Sequence, residues 1–373
     1  MTLRSDRLLL DVGGTFIKCG DGRCIPMPSG GSREEIVSAL QQAVADWLSP
    51  AQCGPAPAPQ SPAIFPVSEE IPGQAGNDAG ERHGRPDRPS AIAVAIPGPF
   101  DYERGIFLMQ HKFAAVYGES FRALAGLPDN IDLRFRHDVI AALEGSLHLL
   151  EGQTSFCGTT SSTAAEAGSS RAYSAAADKL SAQQMTQDAR MDVALGSQPQ
   201  PASTKPAAPV PQNTALVTIG TGLGFAHSEN GTVQIGPTGS PARSIYNLPW
   251  GDGILEDAVS ARGIRNAYTR LTGRTDLSTA QIAHLAEEGD DAAMEVFSDM
   301  GGILGEALAP VLEELSVGTL LLAGQVSRSL PLFERPLRNA LDGIYLRPAP
   351  EGAVFAGLRR LFDPPAGLDA TDH

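Results

Sequence analysis

Two glycine-dense turns, far apart in the chain, hold the residue types best suited to chemistry. The first reads Asp11-Val12-Gly13-Gly14-Thr15, with Lys18 three residues further on. Glycines let backbone N–H groups come close to a polyphosphate, a threonine hydroxyl can donate to an oxygen, and a carboxylate at a strand end can hold Mg2+ through water. The second reads Thr218-Ile219-Gly220-Thr221-Gly222-Leu223-Gly224, a strand running into three alternating glycines. It has neither the lysine of a Walker loop nor the G-x-G-x-x-G spacing, so it is a phosphate cradle of another kind or a tight hairpin. The same choice is open for the first turn, since D-x-G-G hairpin turns are common. A third candidate, Asp138, follows Arg134-Phe135-Arg136-His137 and opens an apolar-periodic segment. Asp is a favoured helix N-cap, and a carboxylate fixed at a helix start can also take a proton from a bound hydroxyl.

The elements that must position these residues alternate between strand and helix. Leu8 to Val12 is a short apolar strand, Gly13 and Gly14 a turn, and Phe16 to Cys19 a second strand, a hairpin reading. Glu34 to Leu48 has Ile36, Val37, Leu40, Val44 and Trp47 at helical spacing. Ala91 to Ile96 is a buried strand ending at Pro97, and Val139 to Leu150 puts Val139, Leu143, Leu147 and Leu150 on one helical face. Thr214 to Ile219 and Val317 to Ala323 are further strands, and Ala353 to Phe362 a closing helix. Strands that end in glycine turns recur at a distance, which predicts two α/β halves facing one ligand. The sequence shows no internal repeat.

The 373 residues carry 28 Lys plus Arg against 43 Asp plus Glu, a formal net charge of -15 that disfavours a nucleic-acid partner. No stretch has the apolar length to cross a bilayer, and the polar opening does not read as a signal peptide. Cys19, Cys24, Cys53 and Cys157 lack C-x2-C spacing and read as reduced thiols of a cytoplasmic protein. Much of the excess among 40 Gly and 29 Pro falls in two segments without helical or strand period. The first, about 50–89, is expected to be a flexible insertion. The second, 151–213, is too poor in apolar side chains to offset its ordering entropy and is expected to be disordered, with one weak helix near 173–185.

Taken in order, DVGGT at 11–15, IPGPFD at 96–101, HD at 137–138, TIGTGLG at 218–224 and LLAGQVSRSLPLF at 321–333 resemble the successive signatures of the ROK sugar kinases, within the actin, Hsp70 and sugar-kinase superfamily. The resemblance covers nearly all of the chain outside the two insertions. It implies two actin-like, ribonuclease H-like α/β domains with a nucleotide cleft between them: 1–150 and 214–350, with the helix at 351–363 returning to the first. It further implies ATP and Mg2+ as cofactors and Asp138 as the general base toward a sugar hydroxyl. Asp11 would hold Mg2+ through water, and Gly13, Gly14, Thr15, Lys18, Gly220, Thr221, Gly222 and Gly224 would line the phosphates. Gly324 and Ser327 would lie in the adenosine-side turn.

Departures from the family pattern bear on the sugar. Pro97, Gly98 and Glu256 match sugar-side positions, but His137 replaces the usual Asn before the base. His111 and Lys112 lie where the family places a substrate loop, to read an anionic or unusual sugar or simply to be solvated; His137 contacts sugar or only packs. The E-x-G-H sugar motif is absent, Ile235 to Pro241 standing in its place, and Trp250 to Glu256 has no cysteine, so no structural zinc is expected. His83, His148, His227, His284 and His373 show no ligand spacing. The implied activity is ATP-dependent phosphorylation of a sugar, possible homodimer formation following from the family. The alternative is a sugar- or nucleotide-binding protein without catalysis. A ROK-type repressor is disfavoured, because only seven residues precede the first strand and the charge balance is acidic.

Overall fold

In the computed structural model, residues 7–48, 90–156 and 213–363 are described. The insertion at about 50–89, nearly all of 151–213 with its expected helix at 173–185, and Cys53 and Cys157 lie outside the described residues.

The first half opens with β1 (Arg7–Val12), β2 (Phe16–Cys19) and β3 (Cys24–Pro26), an antiparallel meander in which Asp11 sits opposite Lys18. Helix α1 (Arg33–Leu48) starts on a capping box: Ser32 and Glu35 each accept the other's backbone N–H. Strand β4 (Ala91–Ile96) is buried at every residue and runs parallel to β1. The small hairpin of β5 (Phe100–Asp101) and β6 (Ile106–Phe107) leads through α2 (Phe121–Leu124) to β7 (Asp132–His137), parallel to β4. The resulting order is β3-β2-β1-β4-β7. Strands covered on both faces read as unbroken apolar runs, which is why β1 and β4 are so plain in the sequence. Helix α3 (Asp138–Phe156) follows β7 directly.

The second half repeats this plan with other residues. Strands β8 (Asn213–Ile219), β9 (Leu223–Glu229) and β10 (Thr232–Val233) form the antiparallel meander. A two-residue pair, β11 (Pro249–Trp250) and β12 (Gly253–Ile254), leads into α4 (Leu255–Val259), α5 (Ala261–Thr272), α6 (Thr279–Glu287) and α7 (Asp291–Glu314). Then β13 (Val317–Ala323), α8 (Leu330–Ala340), β14 (Tyr345–Pro348) and α9 (Ala353–Arg360) complete the fold. The order β10-β9-β8-β13-β14, with β13 parallel to both β8 and β14, is that of the first sheet strand for strand. The repeat is one of backbone topology, which side-chain self-similarity need not reveal.

Each sheet has its own core. Leu10, Ile17, Ile36, Leu40 and Ile92 belong to the first, and Val217, Phe225, Phe297, Leu304 and Phe333 to the second. Helices α3 and α9 join them. Val139, Ile140 and Leu143 of α3 pack on Leu216, Ala226 and Leu321 of the second sheet. Leu358 of α9 packs on Leu9, Ala93 and Ala95 of the first, with Ala141 of α3 in the same cluster. The helical face of Val139, Leu143, Leu147 and Leu150 is therefore apolar because it covers the other half's sheet. Boundaries differ from expectation at helix ends: α3 begins at Asp138 and runs to Phe156, and α9 stops at Arg360.

Candidate functional site

Both glycine turns are hairpin tips at corresponding places in the two sheets. In the first, between β1 and β2, Gly13 N–H donates to Phe16 O at 2.9 Å and closes the bend. In the second, between β8 and β9, Gly220 N–H donates to Gly222 O at 3.0 Å. Among the described residues, the backbone N–H groups of Gly14, Thr15, Thr221 and Gly222 donate to no other protein group. Hairpin and phosphate cradle are thus compatible: the bend uses one N–H in each turn and leaves two without a protein acceptor among the described residues. At Gly224 a Cβ would lie 2.4 Å from Thr218 Oγ1, so a larger residue there would have to displace that hydroxyl.

One side chain reaches from turn to turn. A Cβ on Gly14 would lie 3.6 and 3.7 Å from Cδ and Cε of Lys112, and a Cβ on Gly222 would lie 3.8 Å from its Nζ. The same Gly222 position is 2.9 Å from Glu256 Oε2, which accepts the Leu223 N–H at 2.9 Å. Glu256, at the start of α4, therefore braces the second turn. The sequence pairs His111 with Lys112 in one substrate loop; in the structure His111 is exposed and Lys112 half-buried.

The carboxylates lie in the same region. Asp138, one-third exposed, has Oδ1 2.8 Å from His137 Nδ1 and 2.7 Å from Val139 N. The carboxylate accepts the N–H of the next residue rather than that of a residue deeper in the helix. Burial works to raise its pKa, but the His137 charge and hydrogen bond, the Val139 N–H and the charge of Lys112 outweigh it and hold the carboxyl below the usual range. Asp11 goes the other way. Burial lifts it most, the Lys18 ammonium at 3.3 Å opposes this, and the charge of Asp138 adds to the rise. Lys18 is thus engaged by Asp11 and is otherwise exposed. No group of three or more His, Cys, Asp or Glu that could hold a metal ion occurs among the described residues. A divalent cation at Asp11 would draw most of its ligands from water and phosphate, as Mg2+ commonly does.

A residue that the sequence does not mark packs against His137. Tyr102, past the tip of β5, donates its hydroxyl to Ile96 O at 3.2 Å, and its ring centroid is 5.9 Å from that of His137. A Cβ on Gly98 would meet the Tyr102 hydroxyl at 3.4 Å and His137 Nε2 at 3.5 Å, and a Cβ on Gly239 would meet the Tyr102 ring at 2.9 Å. Tyr102 therefore ties the Pro97-Gly98 turn to the loop at 235–241, where the sugar motif is absent. Burial, with the charge of Asp138, drives its phenol pKa up. Nothing in the local sequence marks it, because the segments its ring brings together, at His137 and Gly239, are distant in the chain. At the third turn, Gly324 has φ 93° and a Cβ there would lie 2.3 Å from Ile219 O, so only glycine fits against the second turn. Ser327 donates its hydroxyl to Gly324 O at 2.7 Å.

No protein-family model matches the chain, and no curated protein does. Solved structures do. A ROK family glucokinase from Streptomyces griseus, in complex with glucose and AMPPNP, is 17% identical and aligns over 95% of this chain and 98% of its own, with a TM-score of 0.58. A ROK hexokinase from Thermus thermophilus is 19% identical over 94% of this chain and 95% of its own, with a TM-score of 0.53. A ROK family transcriptional regulator, a homologue of the E. coli MLC protein, is 16% identical over 96% of this chain and 78% of its own, with a TM-score of 0.54. The chain thus has the actin-like α/β fold of the ROK sugar kinases, the fold that the five sequence motifs resemble. A regulator has that fold as well as enzymes. No described helix is long and apolar enough to cross a membrane.

Proposed function

We propose that this chain is an ATP-dependent sugar kinase of the cytoplasm that phosphorylates a sugar hydroxyl with Asp138 as general base. The observation that carries the reading is the meeting of two hairpin tips, each with two N–H groups that have no protein acceptor among the described residues, on either side of Lys112, whose charge reaches Asp138, which in turn acts on Asp11. Phosphoryl transfer needs little from a protein beyond position and charge, and these residues provide both. The N–H groups of Gly14, Thr15, Thr221 and Gly222 would bind phosphate oxygens. Gly13, Gly220 and Gly224 would shape the bends, and Gly324 and Ser327 the adenosine side. Asp11, with Lys18 beside it, would hold Mg2+ through water; bound there, the ion would neutralise charge on the phosphates. Asp138, oriented by His137, would take the hydroxyl proton as the sugar oxygen bonds to phosphorus. The bond to the β-phosphate oxygen breaks, and that oxygen leaves with the electron pair in ADP. Pro97, Gly98, Tyr102 and His137 would form the sugar wall, with Glu256 and His111 near it.

A coupled assay of ADP release with ATP and Mg2+ against hexoses, amino sugars and sugar acids tests this. At least one sugar should raise ADP release, and Asp138→Asn should abolish that rise while leaving nucleotide binding nearly intact. Sugar binding without ADP release would instead favour a non-catalytic binder, a role open to this fold because a regulator shares it.

A further inference from the structure

Resting on the kinase reading above, we propose that Lys112 grips the transferred phosphoryl group rather than the sugar, as the cation that spans the two glycine turns. Its backbone is tied to the first turn. Phe113, the next residue, is fully buried in the left-handed conformation at φ 55°, an uncommon state for a non-glycine residue. Its N–H donates to Ser29 O at 2.6 Å, and the buried Ser29 donates its hydroxyl to Gly14 O at 2.6 Å. The loop carrying Lys112 is thereby locked onto the hairpin tip, and the lysine stem lies along Gly14 with Nζ toward Gly222.

The ammonium has no counter-ion in contact. Among the described residues no carboxylate oxygen lies within 4.0 Å of it, although its charge acts through space on Asp138. The carboxylate nearest the second turn, Glu256, is occupied by the Leu223 N–H. An ammonium with three charged donors on a half-buried side chain, flanked by four backbone N–H groups without a protein acceptor among the described residues, fits a group with several anionic oxygens. A terminal phosphoryl has them, whereas a neutral sugar offers only hydroxyls. Its place between the two turns, within electrostatic reach of Asp138, sets it where charge moves as the sugar oxygen attacks, so its hydrogen bonds would strengthen in the transition state.

Calorimetric titration of the full-length protein with AMPPNP, ADP and inorganic tripolyphosphate tests this without relying on turnover. Lys112→Met keeps the stem on Gly14 and removes only the charge. It should weaken AMPPNP and tripolyphosphate about 10- to 100-fold, the span of a hydrogen bond to a charged group, while ADP changes by less than about threefold. Lys112→Arg, which retains charge, should recover part of the loss and serves where Lys112→Met does not fold. If the wild type binds AMPPNP and phosphorylates a sugar but Lys112→Met binds AMPPNP equally well, the assignment of Lys112 is overturned and the kinase reading stands. A raised KM for sugar with unchanged AMPPNP affinity overturns it in favour of sugar recognition. If the wild type binds none of the three phosphates, both fall.

Discussion

Gly145 of α3 and Gly357 of α9 mark the crossing of the two helices that join the sheets, and substitution there offers a sharp test of how the halves are held. A Cβ on Gly145 would lie 1.8 Å from Ala353 O and 2.5 Å from Gly357 N, and one on Gly357 would lie 2.0 Å from Ala141 O. Ordinary contact begins near 3.4 Å, so Gly145→Ala must part the helices by roughly 1.6 Å. Every atom in the way belongs to backbone, and no rotamer change relieves it. Overpacking costs about 1–3 kcal/mol, and a rigid backbone clash belongs at the upper end. Replacing a mid-helix glycine returns about 0.5–1 kcal/mol, leaving a net loss of about 2 kcal/mol. At about 2–4 °C per kcal/mol, Tm should fall by about 4–8 °C. Gly302 in α7 is the control, since a Cβ there meets nothing within 4 Å. Gly302→Ala should raise Tm by about 1–4 °C through helix propensity alone. Scanning calorimetry of both variants decides the matter: a Gly145→Ala variant as stable as Gly302→Ala would refute the close crossing. Because α3 begins at Asp138, Gly145→Ala should also depress turnover more than nucleotide binding.

Two further predictions concern buried titrating groups. Asp11 has a raised folded-state pKa, chiefly from burial, so its contribution to stability is full below the unfolded value near ~4 and is lost as pH rises through the folded value. Asp11→Asn should therefore melt higher than wild type at pH 7–8, with the difference closing toward pH 4, while Mg2+-dependent turnover drops; an equal or lower Tm at pH 8 contradicts the burial argument. Burial pushes the Cys19 thiol up to about 11, whereas Cys24 is exposed. At pH 8 only about a thousandth of Cys19 would be thiolate, so iodoacetamide followed by peptide mass spectrometry should modify Cys24 and spare Cys19. Equal labelling of the two would show that β2 opens readily.

Much of the fold was legible wherever burial on both faces writes a continuous apolar run. Ala91–Ile96 and Val317–Ala323 match their expected bounds, and the β1–β2 hairpin follows from two short strands around Gly13-Gly14. Among the elements not predicted, which include β7, β9 and helices α4 to α8, three-residue β3 and the two-residue β5, β6, β10, β11 and β12 have too few residues to carry a period. The duplicated strand order leaves no internal repeat in the sequence, because backbone ladders, not side-chain identity, create it; it was expected only from the recurring glycine turns and the family resemblance. Site residues named from local chemistry, such as Gly14, Gly222 and Asp138, come together in space. What could not be read was the long-range wiring: Ser29 linking Gly14 to Phe113, Tyr102 reaching Gly239, and Glu256 on the Leu223 N–H. None of these pairs is close enough in sequence to leave a spacing signal.

The central claim is that the segments around residues 13–15 and 220–222 hold one polyphosphate between them. Hydrogen exchange of the backbone amides, followed as AMPPNP and Mg2+ are titrated into the full-length protein, tests it most directly. Gly14 and Thr15 in one hairpin, and Thr221 and Gly222 in the other, should gain protection together with the same midpoint. Protection of only one hairpin, or of the two at separate midpoints, would contradict it.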